Sequence, residues 1–80
     1  MTYISLTESV ANFDEKNEFE SWVGIPILVN LEDVGAWQLV SKATSDWYCG
    51  YWSKIRGTFV RVTESDAEIV EKLKRVCTIV

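Results

Sequence analysis

WYCGYWSKIRGTFVRVT, residues 47–63, decides how this chain of 80 residues is read. Trp47, Tyr48, Tyr51 and Trp52 place four aromatic rings in its first six positions, an Arg56-Gly57 step follows, and the rest alternates between apolar and polar residues. A period of two is the signature of strands, so the stretch reads as a β-hairpin. With Arg56-Gly57 as a two-residue turn, Ile55 faces Thr58, Lys54 faces Phe59, Ser53 faces Val60, Trp52 faces Arg61 and Tyr51 faces Val62. Gly57 supplies the positive φ that such a turn needs, whereas Arg56 suits it less well, which leaves a longer loop open. With Val60 and Val62 turned to the core, alternation sends Trp47, Cys49, Tyr51 and Ile55 inward as well. Tyr48, Trp52, Lys54, Phe59 and Arg61 then share the opposite face and form the candidate binding set. A slip of one residue would exchange the two sets.

Upstream, Tyr3 to Thr7 alternates as a first strand with Ile4 and Leu6 inward. Glu8 to Glu20 reads as a loop or hairpin tip around Asp14-Glu15-Lys16-Asn17, with a short helix from Glu15 to Trp22 as the competing reading. Gly24 to Leu31 is the clearest strand, with Ile25, Ile27, Val29 and Leu31 on one face. Pro26 lacks a ladder donor and belongs at that strand's start or on an edge. Glu32 to Gly35 reads as a tight or single helical turn, and Ala36 to Lys42 as a third strand carrying Trp37 and Leu39 on one face. Ala43 to Asp46 is a polar loop.

Downstream, Ser65-Asp66-Ala67-Glu68 matches a capping box and starts a helix. Ile69, Val70, Leu73, Val76 and Cys77 form its apolar stripe, and Glu68 with Lys72 and Glu71 with Arg75 make i,i+4 pairs. The fold expected is α+β: one domain over residues 1–80, a small antiparallel sheet of four to five strands and one C-terminal helix.

Composition narrows the function classes. Twelve acidic against eight basic residues give a net charge of −4, which argues against nonspecific binding of nucleic-acid phosphates. The longest uncharged run, Ser21 to Leu31, is shorter than the roughly 20 apolar residues that span a bilayer, and MTYISLTES lacks signal-peptide features; a cytoplasmic protein with no membrane partner is expected. With no histidine, and with Cys49 and Cys77 far apart, no metal or cofactor site is expected; both cysteines read as free thiols. Without histidine a Ser or Cys nucleophile would need Lys or a carboxylate as its base; Cys49 with Lys54 or Asp46 is conceivable, but alternation places Cys49 and Lys54 on opposite faces, and no glycine-rich phosphate loop is present. An enzyme is therefore not expected.

GIPILVNLEDV, a further strand, a hairpin around Gly57 and VRVTES running into DAEIVEKLKRV together resemble the small FlbD/SwrD-like proteins over Gly24 to Val76. Those associated with flagella carry a short G-K-x-x-L-N strand, an N-G hairpin and a V-x-E-S helix start. Here Arg56 stands where the turn Asn is usual, and Glu8–Trp22 and WYCGYW depart from the pattern. The resemblance implies the fold, and a motility accessory role as an alternative. Similar short reading frames are frequent in phage genomes, so a phage- or mobile-element-encoded inhibitor or regulator of a host protein, of the anti-defence type, is the function expected from resemblance and size. Its means would be the aromatic face, because Trp, Tyr and Arg dominate binding hot spots. Three other uses compete: a homodimer interface, cross-strand cation–π pairs Trp52–Arg61 and Lys54–Phe59 that merely cover the sheet, and stacking on nucleotides or single strands.

Overall fold

The computed structural model describes residues 2–40 and 48–76. In chain order it has β1 (Tyr3–Phe13), β2 (Phe19–Asn30), a 3₁₀ turn (Leu31–Asp33), β3 (Val34–Gln38), β4 (Gly50–Ser53), β5 (Thr58–Arg61) and α1 (Asp66–Val76). The chain is α+β, but its strands form two antiparallel sheets, β1-β2 and β3-β4-β5, where a single sheet was expected. Ser41, Lys42, the Ala43–Asp46 loop, Trp47 and Cys77 lie outside the described residues.

The segment expected as a loop is instead the greater part of a long hairpin. Asp14 organises its tip: the Asp14 carboxylate accepts from the backbone N–H groups of Lys16 and Glu18, both at 2.9 Å. The Asn17 N–H donates to the Asp14 carbonyl, and Asn17 itself sits at φ 65°. This is a tight turn closed by a left-handed residue, which Asn tolerates better than most. No helix forms over Glu15–Trp22; the strands run to Phe13 and resume at Phe19. Beyond the core the hairpin is an arm: Phe13, Phe19, Trp22, Val23 and Ile25 are exposed. The radius of gyration is accordingly 13.7 Å, against about 12 Å for a compact domain of this length.

The β4–β5 connection is four residues long. Ser53 pairs with Thr58, Trp52 with Phe59, Tyr51 with Val60 and Gly50 with Arg61, so the register differs from the expected one by two residues. Ser53 holds the loop by accepting the Gly57 N–H on its carbonyl (2.9 Å) and the Arg56 N–H on its hydroxyl (3.1 Å), and Gly57 takes φ 66°. A shift of two preserves facing, so Cys49, Tyr51, Val60 and Val62 are buried as expected. Ile55 is the exception: it falls in the loop, where strand alternation no longer applies, and is 75% exposed.

The sheets meet at one seam. Glu8 bridges to Val62, and the Thr63 N–H donates to the Thr7 carbonyl at 2.9 Å. The Thr7 N–H donates to Glu64 Oε1 at 2.8 Å. Across β1–β2, Thr7 faces Pro26, which has no N–H to give. Opposed antiparallel residues exchange two bonds or none, so this pair exchanges none and Thr7 turns both its polar groups to the second sheet. Pro26 thereby lies on the free edge of β2, as its chemistry requires.

The core combines Ile4, Leu6 and Val29 of the first sheet, Tyr51 and Val60 of the second, Cys49 and Val62 beside them, and Ile69 of α1. Ser65 caps the helix, its hydroxyl accepting the Glu68 N–H at 3.3 Å and its carbonyl the Ile69 N–H. Glu71 and Arg75 pair at 3.4 Å on the solvent side. Leu73 packs against the core, while Val76, expected in the stripe, is exposed in the last turn. Among the described residues no helix is long and apolar enough to cross a membrane.

The Glu64 carboxylate stands in for a ladder partner at the seam, so its removal should be felt globally. A part-buried hydrogen bond to a charged group is worth about 1.5–3 kcal/mol. Glu64→Ala should lower urea-unfolding stability by about that amount, and Glu64→Gln, which keeps an acceptor, by less. Equal losses in both variants would mean that the charge-assisted bond to Thr7 is not what holds the seam.

Candidate functional site

Gly50 sits in the middle strand of its sheet, paired with Gln38 on one side and Arg61 on the other. On the solvent side of β4 it separates Tyr48 from Trp52, leaving a slot with no side chain. The Phe59 ring fills that slot: a methyl group on Gly50 would overlap the Phe59 ring and the Val60 carbonyl. So seated, Phe59 touches Tyr48 (5.6 Å between centroids) and Trp52 (5.3 Å) at once. Three of the five expected site residues are therefore one cluster, and the glycine between two aromatics is what assembles it.

Arg61 extends the cluster across the seam. Its guanidinium carbon lies 4.1 Å from the Tyr48 ring centroid and 4.1 Å from that of Trp22. The cation is thus held between Trp22 of β2 and Tyr48 just ahead of β4, each contact worth about 0.5–1 kcal/mol at an exposed site and more when desolvated. The expected Trp52–Arg61 cation–π pair is replaced by this arrangement, because the register sets Trp52 opposite Phe59. Trp22 continues to Phe19 (5.4 Å), and Phe19 to Phe13 (6.4 Å, edge to face). The result is an unbroken ladder, Phe13–Phe19–Trp22–Arg61–Tyr48–Phe59–Trp52, running over both sheets. Its end rings are wet, Phe13 at 53% and Trp52 at 52% exposure, and so is Trp22 within it at 51%.

Lys54 does not join it. It is the first residue of the four-residue loop, its N–H donating to the Asp33 carbonyl at 2.8 Å, away from Phe59's partners. Trp22, Phe19 and Phe13 are the members that sequence reasoning missed. Their signal was the pair of apolar positions flanking Asp14–Asn17, which a hairpin brings together across its tip.

The opposite face of β4 carries Tyr51, buried against Trp37 with centroids 5.5 Å apart. Burial pushes the Tyr51 phenol above its ordinary value of 10.0; Arg56 opposes the shift, and Glu8 and Asp33 add to it. Cys49 is a free buried thiol whose sulfur lies 3.5 Å from the Val40 N–H, in a setting of core packing. Comparison with protein-family models, with curated proteins and with solved structures finds no match.

Two outcomes test this geometry. Gly50→Ala should cost about 1–3 kcal/mol, the range for overpacking, and should weaken the near-ultraviolet circular dichroism of the Tyr48–Phe59–Trp52 cluster; an unchanged spectrum would mean the ring does not occupy the slot. Because the folded chain keeps the Tyr51 proton at pH values where the unfolded chain has lost it, stability is complete below about pH 10 and falls as pH rises above that. Tyr51→Phe should fall less steeply over the same range in urea melts taken at successive pH values.

Proposed function

We propose that this protein is a non-enzymatic binding module that docks its aromatic ladder on a surface of a larger protein. Arg61 carries the reading. Its guanidinium is fixed by stacking between Trp22 and Tyr48, and among the described residues no carboxylate pairs with it. A stacked guanidinium keeps its planar fork of N–H donors for an acceptor in the plane. A partner bringing a carboxylate or backbone carbonyl to that fork, and apolar side chains to Trp52 and Trp22, would meet the residue types that dominate hot spots. The partner class we propose is a host protein or complex, bound by a phage- or mobile-element-encoded inhibitor; small size, a single domain and the acidic balance suit an agent that works by occupying a surface. A second copy of the chain and a single-stranded nucleic acid are competing occupants, the latter because exposed Trp rings beside an arginine also suit stacked bases.

Capture from bacterial lysate on the immobilised protein addresses this. Trp52 is half exposed and its ring contact is with Phe59, so Trp52→Ala should fold and yet lose its partner, as should Arg61→Ala; Lys74→Ala, on the exposed side of α1 and away from the ladder, should keep it. Capture undiminished in both ladder variants would remove the face from function. A saturable change in tryptophan fluorescence with oligodeoxythymidylate would reassign it to nucleic acid, and a dimer in sedimentation that Trp52→Ala dissociates would reassign it to self-association.

A further inference from the structure

A cleft of about 240 Å³ lies between the end of β2 and the β4–β5 loop, and shares no residue with the ladder. Leu28 of β2 and Ile55 and Arg56 of the loop form its walls, with Asp33, Tyr51 and Ser53 lining it between them. Leu28 and Ile55, at 74% and 75%, have the greatest exposure among the large hydrophobic residues described.

Its polar character follows from three facts. First, the unbonded Thr7–Pro26 pair sets the parity of β2: alternate residues turn their backbone groups to the free edge, and Leu28, opposite Ser5, is next in that series. Its N–H and C=O therefore turn away from β1, toward an edge of β2 that pairs with no strand among the described residues. Second, the Arg56 guanidinium is held by both Glu8 carboxylate oxygens, at 3.0 and 3.1 Å, so those charges cancel. Third, the Asp33 carboxylate has neither a hydrogen bond nor an ion pair among the described residues. The cleft is left with one uncompensated negative charge, an open strand edge and two apolar lips.

We propose that this cleft binds a short extended peptide segment of a partner, in which apolar residues flank a lysine or arginine. The segment pairs its backbone with Leu28, lays an apolar side chain against Leu28 and Ile55, and sets its cation against Asp33. Such edge addition takes affinity from main-chain bonds and selectivity from alternate side chains. Pro26, two residues along the same edge, offers a carbonyl and no N–H, so the pairing stops after about one pair of bonds. That also excludes a second copy of β2 zipped along its length, and it fixes the ligand as short.

The probe is the acetylated, amidated tripeptide leucyl-lysyl-leucine, titrated into the ¹⁵N-labelled protein. Saturable amide shifts are expected at Leu28, Asp33 and Ile55, and the glutamyl counterpart should bind about fivefold more weakly, as loss of an exposed ion pair implies. In Asp33→Asn the two peptides should bind alike. A lysyl peptide with its second leucine N-methylated tests the backbone pairing and should bind more weakly. Absence of shifts at millimolar peptide, equal binding of lysyl and glutamyl peptides to the unaltered chain, or shifts centred on Tyr48 and Trp52 would each overturn the proposal. Trp52→Ala should leave these shifts unchanged, which separates this cleft from the ladder.

Discussion

The structure turns on the backbone of Thr7. Its partner across the hairpin, Pro26, can give no hydrogen bond, and the pair sits where the antiparallel ladder makes none. Thr7 therefore offers a donor and an acceptor to whatever lies on its other side. The chain supplies Thr63, whose N–H reaches the Thr7 carbonyl, and then leaves the sheet; Glu64 completes the bonding with its side chain while Ser65 already caps α1. One short segment, Val62 to Ser65, thus closes the seam between the sheets and starts the helix that covers their core. A buried or part-buried amide without a partner costs about 1–3 kcal/mol, a sizeable share of the stability of so small a domain.

The ladder depends on that seam. Trp22 belongs to the two-stranded sheet, while Phe59 and Trp52 belong to the three-stranded one and Tyr48 lies just ahead of β4. Arg61 is the last residue of β5, next to the Glu8–Val62 bridge, and among the described residues it is the ladder member that joins Trp22 of the first sheet to Tyr48 just ahead of β4. Its stacking adds to the seam on the solvent side what Glu64 adds along the backbone. On the other side Arg56 and Glu8 form a further link between the β4–β5 loop and β1. Two arginines of one hairpin therefore tie it to the first sheet by different chemistry: one by an ion pair, the other by aromatic faces.

Much of this was legible in the sequence because side-chain alternation survives a register error of two. Cys49, Tyr51, Val60 and Val62 were assigned to the core, and Tyr48, Trp52, Phe59 and Arg61 to the opposite face, from a turn that was placed two residues short. Ile55 was misplaced because it lies in the loop itself, where facing is set by Ser53 and Gly57 and parity has no meaning. The arm was illegible for a different reason. Glu8 to Phe13 pairs with β2 yet lacks clean apolar alternation, since neither of its faces is fully buried there, and periodicity reports burial before it reports strand. The division into two sheets rests on Thr7, Pro26 and Glu64, three residues whose relation is visible only once they are adjacent in space.

The arm also explains why the aromatic residues are where they are. Two strands alone are marginal in water, and beyond Leu6 and Ile27 the hairpin has no core beneath it. Phe13, Phe19 and Trp22 make ring contacts along one another, and Arg61 anchors the row to the body. The same rings cannot be both fully buried and available, and here they are about half exposed. A row of rings that holds the arm in place while keeping one side wet is already ordered for a partner, so association need not fix those side chains anew. Ordering each would otherwise cost about 0.5–1.5 kcal/mol on binding. The demand that an isolated hairpin be braced and the demand that a binding face be rigid are met by one set of residues.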